Sequence, residues 1–567
     1  MEVHVGIPKL LQMGAKLVGH KVQQYRLSTS HTVIATTKFG RVRGLQRKTI
    51  YDEEPYYAFE GIPYAKPPLG ELRFREPQPP EPWENVRNCT TYGEKPLQRN
   101  MVLGMIEGSE DCLYLNVYVK RMQSETPLPV MVWIYGGGFQ KGEASRDIYS
   151  PDYFMKQPVV FVTISYRLGA LGFLSLKDPK LNVPGNAGLK DQVLALRWIS
   201  QNIARFNGDP NNITLMGESA GAASTHIMMT TEQSRGLFHK AILQSGCALS
   251  AWADTPDRNW AYRLARHMGG YKGSETEADV LRYLSKASAR QIASSDQEIV
   301  TQDELRSFYL FAFGPVVEPY ESAHCVVPKP HKEMLASAWG NSIPLIVGGN
   351  SFEGLFSYQL VRNDPWVMTH FDNIIPREVR ESSTPEQLEQ LVRRLKQVYF
   401  GDEQRERMEL FEVLYIFSHR QIWHDLHRMV MARLTYAPAT PTYLYRFDFD
   451  SPHFNQFRWL VCGERVRGVS HADELSYLFY NVLATKLNKS SQEYRTIKRM
   501  VGMWTAFAAS SDPNCRATAS AKWTPVQQTP DGAHNCYNIS DEMEMMALPE
   551  ATTLAVWDTF YDKEALY

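Results

Sequence analysis

Gly217-Glu218-Ser219-Ala220-Gly221 places a serine between two glycines at the spacing of a nucleophile elbow. Before it, Asn212-Ile213-Thr214-Leu215-Met216 reads as a short buried strand. After it, Ala220 to Met229 begins with small residues and continues with apolar ones, as a packed helix would. A serine at such a strand-to-helix turn is held in a strained conformation with its hydroxyl thrust over the sheet. The flanking glycines are required because a Cβ there would collide with the crossing strand and helix. The helix start supplies free N–H groups and a positive dipole end where an oxyanion must form. On its own the pentapeptide is equally a glycine-rich turn, so the chemistry depends on a base, an acid and oxyanion donors elsewhere.

Those partners follow along the chain. Val130 to Tyr135 is a continuous apolar run ending in Gly136-Gly137-Gly138-Phe139, a loop that can turn its N–H groups into the cavity above the sheet. With the N–H after the nucleophile, this gives Gly137, Gly138 and Ala220 as the expected oxyanion hole. Ile343 to Asn350 reads as another buried strand, and Glu353 lies at its carboxyl end, where open α/β sheets place their sites. His471 sits in Gly468-Val469-Ser470-His471-Ala472-Asp473-Glu474-Leu475, a loop entering a helix. Singly, Glu353 is an ordinary surface acid and His471 one of fifteen histidines. In sequence, Ser219, Glu353 and His471 have the order of an α/β-hydrolase triad.

Longer segments carry a family likeness. They are Phe59 to Ala65, Ser109 to Val117, Tyr135 to Phe139, Ser165 to Phe173, Gly185 to Gln192 and the elbow itself. On these the chain resembles the type-B carboxylesterase/cholinesterase family, and within it the insect α-esterases, from about Tyr25 to the C-terminus. The resemblance implies an α/β-hydrolase fold, with a central mostly parallel twisted sheet and helices on both faces. It implies Ser219 as nucleophile, His471 as base and Glu353 as the acid that orients it. His471 would take the Ser219 proton as the hydroxyl attacks an ester, and water would then clear the acyl-enzyme. Glu218 is expected near the nucleophile, holding either the deacylating water or a structural hydrogen bond. Trp252, Phe311, Phe313 and Phe356 fall in segments that surround the site in this family, so they are expected to line an apolar pocket or else to be core. Cys89 and Cys112 match the positions of a family loop disulfide. No metal or organic cofactor is implied.

Composition supports one large enzyme domain over 25–567. The triad members are spread along 567 residues with no linker or repeat between them, and 12% of residues are aromatic. A net charge of −1 gives no electrostatic case for nucleic acid, and the resemblance implies a small ester as the partner. Between Cys89 and Cys112 there is no tryptophan, which argues against choline esters as preferred substrates. A catalytically silent adhesion relative is the competing class, but every catalytic position is kept and no apolar run approaches 18 residues.

Residues 1–24 lack the apolar core of a signal peptide. Ile7, Leu10, Leu11, Leu17, Val18 and Val22 fall at helical spacing among Lys9, Lys16 and Lys21. This basic amphipathic helix is expected to lie on a membrane surface or to pack on the main domain. The expected location is cytoplasmic with peripheral membrane contact, and secretion is the alternative. The sequons at Asn88, Asn212, Asn488 and Asn538 matter only on the secretory route.

Overall fold

The computed structural model describes residues 6–274, 276–403, 405–527, 534–562 and 566–567, with Ile7 described by its backbone alone. One large sheet organises the chain. Its strands are β1 (Ser28–Thr37), β2 (Gly40–Lys48), β3 (Pro55–Pro63), β4 (Tyr114–Val119), β5 (Leu128–Ile134) and β6 (Val160–Ile164). They continue with β7 (Gly208–Glu218), β8 (Lys240–Gln244), β9 (Leu345–Asn350), β10 (Thr442–Phe447), β11 (Asn535–Ile539) and β12 (Met543–Ala547). The order across the sheet is β1-β2-β3-β4-β6-β5-β7-β8-β9-β10-β11-β12.

From β6 to β11 every neighbour is parallel, and the antiparallel pairs are confined to the two ends. Parallel strands are covered on both faces and so read as unbroken apolar runs. Strand β6, Val-Phe-Val-Thr-Ile, is buried at every position. The chain reverses its direction across the sheet at β5, whose two neighbours are β6 and β7. Such a switch point leaves a crevice at the carboxyl ends of the strands. The glycine loop leaves β5 there, and Ser219 leaves β7 beside it, with Gly217 paired to Ile134.

The N-terminal helix α1 spans Ile7–Arg26; residues 1–5 of the expected segment lie outside the described residues. Its lysines face the body. Lys9 donates to the carbonyls of Trp459 and Leu460 in the last turn of a helix spanning Gln456–Cys462. Lys16 donates to the Leu483 carbonyl at 2.8 Å, and Lys21 to Tyr92 and Asp147. Leu11 is 71% and Val18 64% exposed, and Leu17, Val22 and Tyr25 are also exposed, while Met13 packs against Leu460 and Val461. The helix therefore packs through its cationic side.

Candidate active site

Ser219 has φ 56° and ψ −123°, a conformation that costs a residue with a Cβ about 1–3 kcal/mol. The surrounding backbone holds it there. Its N–H donates to the Gln244 carbonyl on β8 at 2.8 Å, and its carbonyl accepts from Ala223. Helix α2 (Ala220–Thr230) begins at the next residue, and all of its residues are buried. The elbow glycines are steric necessities. A Cβ on Gly217 would lie 2.4 Å or less from Gly221, and one on Gly221 would overlap the Ile134 carbonyl.

The loop after β5 has three consecutive left-handed residues: Gly137 (φ 112°), Gly138 (φ 64°) and Phe139 (φ 61°). The Gly137 carbonyl accepts from the N–H groups of Gln140 and Lys141, both at 3.1 Å. That turns the Gly137–Gly138 stretch toward the elbow, where a Cβ on Gly136 would sit 2.8 Å from Ser219 Cβ. Here the triple glycine lets backbone, rather than side chain, line the site.

Glu353 is fully buried just beyond β9. Its Oε1 accepts from Ser245 Oγ at 2.5 Å and the Asn350 N–H at 2.6 Å, while Oε2 meets His471 Nδ1 at 2.7 Å. With Nδ1 committed to Glu353, the imidazole presents Nε2 to the elbow, 3.1 Å from Glu218 Oε1. Burial by itself would lower the His471 pKa. The carboxylates of Glu218 and then Glu353 outweigh it, and the histidine is held above its ordinary value. Burial pushes Glu218 upward against the pull of His471, and Glu474 and Glu353 add to the rise.

The expected pocket residues separate. Phe311 lies against Gly138, so that any Cβ there would overlap its ring. Phe356 stacks obliquely 5.2 Å from the His471 ring. Trp252 approaches the elbow at Gly246, where a Cβ would be 3.0 Å from its ring and 2.7 Å from the Ser219 carbonyl. Phe313 is buried in the main core, and its contact with the loop is through its carbonyl, which accepts from Gln140 Nε2. Cys89 and Cys112 correct the expectation of a disulfide: both are free, buried thiols. Burial pushes Cys89 up to about 12. Among the sequons, Asn538 is buried and Asn212 receives Lys240 Nζ. Among the described residues no group of three histidine, cysteine or acidic side chains could hold a metal ion.

Sequence reasoning missed the layer behind the triad. Glu474 is fully buried and accepts from Gln244 Nε2 at 3.0 Å and Asn350 Nδ2 at 2.6 Å, tying the ends of β8 and β9 together. Ser245, at φ 55°, delivers its hydroxyl to Glu353. The available signals were Glu474 three residues after His471, and Ser245 directly after β8.

A sequence profile described as the Carboxylesterase family matches residues 31–557. Esterase B1 of Culex pipiens is 38% identical over 537 residues, covering 94% of this chain and 98% of that protein. Juvenile hormone esterase of Tribolium castaneum is 33% identical, covering 86% and 84%, and Esterase FE4 of Myzus persicae is 32% identical, covering 93% and 92%. The crystal structure of juvenile hormone esterase from Manduca sexta, with OTFP covalently attached, superposes with a TM-score of 0.82 at 28% identity, over 94% of this chain and all of that one. Its fold is the α/β-hydrolase fold. With the profile and these relatives spanning nearly its whole length, this chain, a carboxylic ester hydrolase, belongs to the carboxylesterase family.

Proposed function

We propose that the protein is a serine carboxylesterase that cleaves apolar esters, of lipid or xenobiotic origin including insecticides, through an acyl-enzyme on Ser219. The observation that carries this reading is the buried 2.7 Å bond from His471 Nδ1 to Glu353, which leaves Nε2 facing the elbow. As Ser219 Oγ attacks the ester carbonyl, His471 Nε2 takes its proton and then delivers it to the leaving alcohol. The N–H groups of Gly137, Gly138 and Ala220 receive the oxyanion; one such donor is worth about 10²–10³ in rate. Water enters by the same route, and Glu218, beside Nε2, is placed to hold it for deacylation. Glu353 keeps the imidazole in the Nδ1–H tautomer and stabilises the imidazolium.

Phe311, Phe356 and Trp252 around the elbow favour apolar groups on the acyl carbon. Organophosphates should phosphorylate Ser219, because their tetrahedral phosphorus imitates the intermediate that the oxyanion hole receives. Hydrolysis of 1-naphthyl butyrate by the wild type and by Ser219→Ala, with an organophosphate titration followed by mass spectrometry, tests this. The expected result is turnover lost in the variant and one adduct per wild-type chain on Ser219. A folded wild type with neither turnover nor adduct overturns it.

A second reading concerns location, and the outward apolar side of α1 favours it: a cytoplasmic enzyme resting on a lipid surface through Leu11, Leu17, Val18 and Val22. Because Lys9, Lys16 and Lys21 are engaged by the body, insertion of apolar side chains is the driving term, at about 25 cal/mol per Å² buried. Flotation with neutral phosphatidylcholine vesicles should succeed for the wild type and fail for Leu11→Glu/Val18→Glu. Equal flotation of the two proteins would refute this reading.

A further inference from the structure

We infer that Asp296 is a positioning residue for the oxyanion loop, a role resting on the reading of Gly137 and Gly138 as oxyanion donors. Asp296 follows a short helix, Ala289–Ser295, far in sequence from every triad member, and it is 5% exposed. Its Oδ2 accepts from the Ala170 N–H at 3.2 Å and packs against Gly169, where a Cβ would overlap the carboxylate. Gly169 is left-handed (φ 52°), and its N–H donates at 2.8 Å to the carbonyl of Phe139. Phe139 is the last of the three left-handed residues in the loop and the one with a side chain, so its conformation must be imposed from outside.

Contacts therefore run from the Asp296 carboxylate through Gly169 and Ala170 to Phe139 and on to Gly138. Other side-chain contacts hold the same loop, among them Gln140 Nε2, which donates to the Phe313 carbonyl, and the Phe139 ring, which meets Phe173 edge-on at 5.4 Å. Neither of them fixes the Phe139 carbonyl, which leaves that task to the segment braced by Asp296.

The carboxylate is also expensive to keep. Oδ1 is buried without a hydrogen-bond partner, and unsatisfied buried polar atoms are rare in folded proteins. Burial pushes the group up to about 7, against the Ala170 bond and the charges of Arg99 and Lys141, which pull it down. The retained brace is understandable because oxyanion donors must be held within a fraction of an ångström to act.

Steady-state kinetics and the inhibition constant of a trifluoromethyl ketone, which forms a tetrahedral adduct, test the inference in Asp296→Ala and Asp296→Asn. We expect Asp296→Ala to lower kcat about tenfold, keep KM within about twofold and weaken the ketone by a similar factor. Asp296→Asn keeps an oxygen for the Ala170 N–H and should restore both values. Asp296→Ser, too short to reach Ala170, replaces the alanine variant if that one does not fold. Unchanged kcat in a folded alanine or serine variant overturns the inference, as does a loss of kcat with ketone affinity intact. Failure of the underlying reading is distinguishable, since the wild type itself would then neither turn over nor bind the ketone.

Discussion

Two buried clusters in this molecule are built from histidine and carboxylate, and they behave in opposite ways. At the elbow, one histidine, His471, is faced by Glu353 at 2.7 Å and Glu218 at 3.1 Å, with Glu474 close behind. Near the C-terminus, one acid serves several histidines. Asp558, at the end of a helix spanning Ala551–Asp558, bridges His424 at 3.0 Å and His427 at 2.9 Å, and the His534 ring lies 5.1 Å from that of His427. His424 and His427 project from one face of a helix (His424–Tyr436), as an i, i+3 pair must.

Burial disfavours the imidazolium in both clusters, so the count of neighbouring charges decides the outcome. Three carboxylates, Glu218, Glu353 and Glu474, raise His471. For His424, burial is reinforced by Arg428 and His427 and is only partly opposed by Asp558, so its pKa falls to about 4. The first arrangement makes a strong base facing a serine. The second makes His424 a neutral donor and uses both histidines to fasten a terminal helix. The same residue types give a reactive site or a clasp according to how many acids each histidine shares.

The comparison can be broken most sharply by deleting one histidine from each cluster. His471→Ala should lower kcat by about 10⁴-fold or more, whereas His424→Ala should leave kcat within about twofold, both measured on folded protein with 1-naphthyl butyrate. Loss of turnover in His424→Ala would abolish the distinction. A smaller effect comes from the acids. Asp558→Asn weakens two hydrogen bonds to a charged acceptor and should lower stability by about 2 kcal/mol with kcat retained, read as a shift in the urea midpoint.

The pH dependence sharpens the contrast further. His424, depressed from 6.5 to about 4, contributes stability at pH values above 6.5, and this is lost as pH falls from 6.5 toward 4. Asp558, also depressed, adds a loss at still lower pH. His471, raised, contributes stability below 6.5 that disappears as pH climbs through its folded value, yet catalysis needs it neutral. Activity should therefore rise with pH about a midpoint above 6.5. Glu218→Gln removes the largest raising charge and should move that midpoint down by about one unit in a kcat/KM profile. An unmoved midpoint would show that Glu218 does not set the basicity of the histidine.

The sequence announces the nucleophile and the oxyanion loop because both depend on short, local signals. Gly217 and Gly221 are fixed by collisions with Ile134 and with each other, Gly137 and Gly138 by positive φ, and Gly136 by its approach to Glu218 and Ser219. Glu353 was legible through chain order and its place after a strand, and His471 through chain order and its loop before a helix. Glu474, Ser245 and Asp296 were not, since each acquires meaning only by meeting residues far away: Glu474 meets Gln244 across 230 positions, and Ser245 meets Glu353 across 108. In α1 the periodicity gave the helix but not its orientation. The side that packs was chosen by the Trp459 and Leu460 carbonyls, which accept from Lys9 Nζ, and by the Trp459 ring, 4.2 Å from that Nζ. The implied pairing of Cys89 with Cys112 came from family likeness alone, and no spacing rule could have tested it.

The order of strands also sets a timetable for synthesis. The base arrives 252 residues after the nucleophile, so at about 5–20 residues per second a growing chain carries Ser219 for about 10–50 s before His471 exists. Throughout that interval the serine has no base beside it and cannot be acylated by esters in the surrounding medium. Reactivity is switched on only when β9 and β10 have joined the sheet. On the proposed mechanism, phosphorylation of Ser219 would be confined to finished molecules, and first turnover would report that the C-terminal half has folded.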